Sequence, residues 1–136
     1  MESLQQIHTL MLHHKLQYMN SEIKDFYGTN IEYPLDKFIP KIHDNFGFLL
    51  NVEVGLTGQE GADYFDIFIC TPKWLISNMK KEDFVIGLHY LIVFEYNFES
   101  LKRKLNELFC IEGNNWIEIA TKLSYIGHWE FQNYKE

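Results

Sequence analysis

From Phe48 to Leu56 every second residue is apolar: Phe48, Leu50, Val52, Val54 and Leu56 fall on one side, Leu49, Asn51 and Glu53 on the other. A period of two predicts a strand with one face on a core. Gly58-Gln59-Glu60-Gly61 reads as a turn and Tyr64 to Thr71 as a second strand. The pair is therefore expected as an antiparallel hairpin with a longer loop. Pro72 cannot extend a central strand but suits the first turn of a helix. Thr71 is then the expected N-cap, and the short helix carrying Trp74 and Leu75 should end near Met79.

Gly87 to Tyr96 is almost continuously apolar, which predicts a central strand covered on both faces, or on one face plus a helix edge. Asn97 is placed to cap the following helix. There Phe98, Leu101, Leu105, Leu108 and Phe109 share a stripe, while Glu99, Lys102, Arg103, Lys104 and Glu107 cover the rest. Glu99 and Arg103 have the spacing of a helical ion pair, and Gly113 is expected to stop the helix. Asn115 followed by Glu118 resembles a capping box, with Trp116, Ile119, Ala120 and Leu123 as the buried stripe behind it. Gly127 ends that helix, and Trp129-Glu130-Phe131 follows as a strand or extended tail.

Ahead of the hairpin the pattern is weaker. Met1 to Thr9, polar with sparse anchors at Leu4 and Ile7, reads as a frayed arm or short helix. Leu10 to Met19 alternates in part through Leu12, His14, Leu16 and Tyr18 and is predicted as a strand. Asn20 to Asn45, with Gly28, Pro34 and Pro40, reads as a long irregular connection. The predicted class is α+β: a mainly antiparallel sheet of about four strands, with the C-terminal helices packed on one face.

At 136 residues the chain is expected to form a single domain, 1–136. Hydrophobic residues make up 46%, which excludes disorder for the bulk of the sequence. The net charge of -7 argues against nucleic acid as a partner, since phosphate binding needs a basic footprint, and suits solubility or a basic protein partner. The aromatic content makes an apolar contact patch, and so a homodimer, conceivable. There is no secretory start and no apolar run of membrane-spanning length, so a cytoplasmic protein with no membrane partner is expected.

Candidate chemistry is sparse. His8, His13, His14, His43, His89 and His128 lack metal-ligand spacing, so no metal is expected. No Gly-rich phosphate loop is present: Gly55, Gly58 and Gly61 lack a following Lys-Ser/Thr, and no cofactor is implied. Cys70 and Cys110 are expected as reduced, mostly buried thiols. Cys70 could act as a nucleophile only if His89 reached it, which defines the alternative of a small ligand-binding domain or thiol enzyme. Glu53, Glu60, Asp63 and Asp66 cluster on the hairpin. They read as a solvated face or as an acidic rim for a basic partner. Trp74, Trp116 and Trp129 are expected in the core.

Several runs carry a resemblance. Asn45-Phe46-Gly47-Phe48 opens the hairpin, and Gly55, Gly58 and Gly61 mark its turn. Cys70-Thr71-Pro72-Lys73-Trp74-Leu75 ends its second strand. Gly87-Leu88-His89-Tyr90-Leu91-Ile92-Val93, then Trp116 with Ile119, Ala120 and Leu123, and finally Trp129-Glu130-Phe131 follow in order. In this spacing the chain resembles the immunity protein 8 family of bacterial polymorphic toxin systems over residues 46–134, with 1–45 divergent. The resemblance implies a non-enzymatic, cytoplasmic inhibitor that binds a cognate toxin domain. It supplies no catalytic residues. It marks Cys70, Thr71, Pro72, Trp74, Leu75, Trp116, Trp129, Glu130 and Phe131 as scaffold, and leaves the hairpin acids as the expected toxin contact.

Overall fold

A computed structural model describes residues 18–79, 81 and 84–132 of the chain. In chain order these form β1 (Met19–Gly28), β2 (Gly47–Leu56), β3 (Asp63–Cys70), α1 (Pro72–Met79), β4 (Tyr90–Ile92), α2 (Phe98–Phe109), β5 (Glu112–Gly113), α3 (Trp116–Leu123) and β6 (His128–Trp129). They make one sheet in the order β4-β3-β2-β1-β5, with β6 also paired to β3. Since β2 runs along one edge of β3, β4 and β6 share the other edge end to end. β4 meets Phe68 to Cys70, and β6 meets Phe65 and Asp66. Only the β3–β4 pair is parallel among the described strands. The α+β class with a mainly antiparallel sheet therefore holds.

The alternation in the hairpin decides which way the sheet faces. Phe48, Leu50, Val52 and Val54 of β2 and Phe65, Ile67 and Ile69 of β3 are buried on one side. There they meet Leu101, Leu105 and Phe109 of α2 and Ile119, Ala120 and Leu123 of α3. Burying each such large side chain contributes about 1.5–3 kcal/mol relative to leaving it in water. Both helices start as their caps predict. Asn97 Oδ1 accepts from Ser100 N at 2.9 Å, and Asn115 Oδ1 accepts from Glu118 N at 2.9 Å. The Glu118 carboxylate reaches back one residue past the usual box partner, to Asn114 N at 3.4 Å.

Several expectations are corrected. The strand expected over Leu10–Met19 lies, but for Tyr18 and Met19, outside the described residues. The first described strand, β1, instead occupies Met19–Gly28, within the stretch read as an irregular connection. Its register shifts between Ile23 and Asp25, a bulge at Lys24. Ile23 and Phe26 both pack on the core, three residues apart, and so hide the period of two. The run from Gly87 to Tyr96 is not a central strand. Only Tyr90–Ile92 pairs, at the sheet edge, because its partner is the last three residues of β3. α2 ends at Phe109 with Cys110 extended, so Gly113 is not its stop. Gly113 sits in β5, where Ile119 Cγ1 lies 2.6 Å from the place a Cβ would take. On α2 the ion pair is Lys104 with Glu107 at 3.3 Å, in place of Glu99 with Arg103. Cys110 is exposed, not buried.

The loop from Thr29 to Asn45 is tied down by aromatic packing. The Tyr96 ring meets Phe38 edge-on at 5.1 Å and Phe46 at 5.7 Å, and its hydroxyl donates to the Leu35 carbonyl. Burial, with a smaller push from the Asp36 charge, raises the Tyr96 hydroxyl to about 12. The unfolded chain would ionise near 10. The folded state therefore holds this proton more tightly, and its contribution is complete below about pH 10 and lost as pH rises through about 12. Wild-type stability should fall more steeply over that window than that of Tyr96→Phe. Urea titrations across it check this, and equal slopes would refute it.

Candidate functional site

The corner between β3 and α1 is built around Thr71. Its N–H donates to Phe46 O at 3.1 Å, and its hydroxyl oxygen accepts from Phe46 N at 3.2 Å and from Trp74 N at 3.3 Å. One fully buried side chain thus caps α1 and pins the chain entering β2. Pro72 starts the helix where no N–H is needed. Trp74 then swings onto the sheet face away from α2 and α3. It packs on Phe68 at 4.8 Å between ring centroids and lies so close to Gly47 that a Cβ there would sit 2.6 Å from the indole. Only glycine admits this approach.

A second joint links three distant segments through Asp63. Its Oδ2 accepts from Trp116 Nε1 at 2.8 Å and from Trp129 Nε1 at 3.0 Å. Trp129 also stacks on Phe65 at 6.3 Å and meets Phe131 edge-on at 6.1 Å. Glu130 clasps the neighbouring residue: its N–H donates to Tyr64 O at 3.1 Å, and its Oε1 accepts from Tyr64 N at 3.0 Å. Trp129-Glu130-Phe131 is therefore a clasp on the start of β3.

The four hairpin acids do not form one group. Asp63, with Phe65 and Ile67, points to the helix side, where its carboxylate serves the two indoles. Glu60 is exposed in the turn. Glu53 and Asp66 project from the opposite side of the sheet. Sequence reasoning placed Asp63 in a solvated rim because its partners lie 53 and 66 residues away. Its position in step with the buried Phe65 and Ile67 was the available signal.

The side of the sheet carrying Glu53 and Asp66 is covered by Trp74 at one end and, among the described residues, open at the other. Pairing registers set its side chains in rows. One row runs Asp25, Glu53, Tyr64, with Glu130 beyond; the next runs Tyr27, Asn51, Asp66, His128; a third holds Leu49, Phe68 and Tyr90. Tyr27 is 45% and Tyr64 40% exposed, so both rings present area to solvent. The negative charge of Glu53, its hydrogen bond to the hydroxyl and the proximity of Tyr27 raise the Tyr64 hydroxyl above its ordinary value. Asp66 Oδ1 accepts from Asn51 Nδ2 at 2.7 Å, and Asn51 Oδ1 is sealed from solvent with no partner among the described residues. Lys24 lies over Gly55 on this side, held by Glu22 at 2.5 Å and by Gln59 O at 2.9 Å.

Thiol chemistry does not fit. Cys70 is fully buried, and desolvation raises its thiol, the reverse of what a nucleophile needs. Cys70 pairs with Ile92, so His89 sits three residues, or about 10 Å of strand, away. The His89 Nε2 is instead 2.7 Å from Ser124 O. Among the described residues no three of His, Cys, Asp and Glu converge as metal ligands; His8, His13 and His14 lie outside them. A cleft of about 500 Å³ opens between β4 and α2, with Glu95, Arg103, Lys104 and Glu107 on its rim. Phe94 on its lining is 81% exposed and Leu88 earlier in the run 62%, an exposure that reading Gly87 to Tyr96 as a central strand did not anticipate.

Among the described residues no helix is long and apolar enough to cross a membrane. No curated protein and no solved structure matches the chain. Residues 21–134, however, match the family described as Immunity protein 8. The match takes in β1 and the loop behind it as well as both joints. The chain belongs to the Immunity protein 8 family.

Proposed function

We propose that this chain is an immunity protein that neutralises a cognate bacterial toxin by stoichiometric binding in the cytoplasm of the cell that makes it, without catalysis. The family match over residues 21–134 carries this reading. The chemistry of the motif residues supports it. Thr71 and Asp63 are occupied in joints, and the Cys70 thiol is buried, so these residues serve a scaffold for binding. The test is co-expression with the C-terminal domain of the toxin encoded beside this chain. Growth should be restored, and a one-to-one complex should co-purify. Undiminished toxicity at equal expression would refute it.

A further inference from the structure

We infer that the toxin docks on the open face of the sheet around Glu53 and Tyr64, and that it does so with a cationic surface. This rests on the immunity reading and adds the surface and the partner's chemistry. Asp25 and Glu53 are direct cross-strand partners. Like charges placed opposite one another on a sheet destabilise it. The strand pattern demands no acid there, since both side chains face away from the core. Asp66 in the next row and Glu130 at the end of the same row extend the negative field. Among the described residues none of these four carboxylates is in an ion pair, and Lys24, the cation on this side, is held by Glu22.

The face also carries what a contact needs besides charge. Tyr27 and Tyr64 are exposed in the rows of the acids and Leu49 in the row beside them, and tyrosine is enriched among residues that dominate binding energy. Four strand positions about 4.8 Å apart and three rows about 7 Å apart, the last open at Leu49 but closed at Phe68 by Trp74, span at most about 14 Å by 14 Å. That suits the core of a standard interface of about 800 Å² per partner. The cleft between β4 and α2 offers no such sign preference, because Arg103 and Lys104 alternate there with Glu95 and Glu107.

The test compares Glu53→Gln, alone and with Asp25→Asn, against Glu99→Gln with Glu107→Gln on α2, using the full chain and the adjacent toxin domain. The face variants should bind at least tenfold more weakly at low salt, with a shallower dependence of affinity on salt. The free face variants should also melt about 1–4 °C higher, because the opposed charges are relieved. A merely structural role cannot produce weaker binding together with greater stability. The α2 variants should bind within about twofold of wild type. Face variants that bind like wild type with the same salt slope would overturn the assignment while leaving the immunity reading intact. Failure of the wild-type chain to bind would overturn the immunity reading, and this assignment with it.

Discussion

Asp63→Ala should lower stability by about 3 kcal/mol, and melting temperature by about 10 °C. Two indole N–H groups, from Trp116 and Trp129, share one carboxylate oxygen. Hydrogen bonds to a charged group contribute about 1.5–3 kcal/mol each, and the half-exposed setting argues for the lower end. Three segments come apart together when that oxygen is lost: the start of β3, α3 and the C-terminal clasp. Asp63→Asn keeps a carbonyl acceptor and should lose less than half as much. Urea unfolding followed by tryptophan fluorescence measures both. Under conditions where Asp63→Asn stays folded, its toxin affinity should match wild type, because the side chain faces the helices. An unchanged unfolding midpoint in Asp63→Ala, or a folded Asp63→Asn that fails to bind, would contradict this placement.

Thr71→Val should cost a comparable amount, about 2–4 kcal/mol. The substitution keeps shape and removes the hydroxyl, so α1 loses its cap, about 1 kcal/mol. The Phe46 N–H is left buried and unpaired, about 1–3 kcal/mol more. Thr71→Ser restores the acceptor and should recover most of the loss. If valine and serine variants unfold at the same denaturant concentration, the hydroxyl is not what holds this corner.

How much could be read in advance depended on whether the signal was local. The hairpin, the Thr71 cap and both asparagine caps each sit within a few residues of the groups they organise, and each was legible. The apolar stripes of α2 and α3 were legible for the same reason. The edge position of β4 was not, because an apolar run does not reveal how many neighbours a strand will have. Asp63 was misplaced because a carboxylate beside a glycine turn looks solvated until two distant tryptophans arrive. Glu53 and Asp66 were picked out as acids, but their rows with Asp25, Tyr27, Tyr64 and Glu130 required the register. Asp25 and Tyr27 stood in a segment read as loop.

The bulge at Lys24 has a consequence for how this chain can vary in length. Ile23 lies inward and Asp25 outward only because one extra residue intervenes. Without that kink, Asp25 and Tyr27 would turn toward the helices and Phe26 toward water. A deletion of Lys24 itself would flatten the strand yet keep every other side chain on its present side. Its contacts with Glu22 and Gln59 are exposed and hold little stability. β1 can therefore lose a residue at this point without repacking, a tolerance that a regular strand in the middle of a sheet does not have.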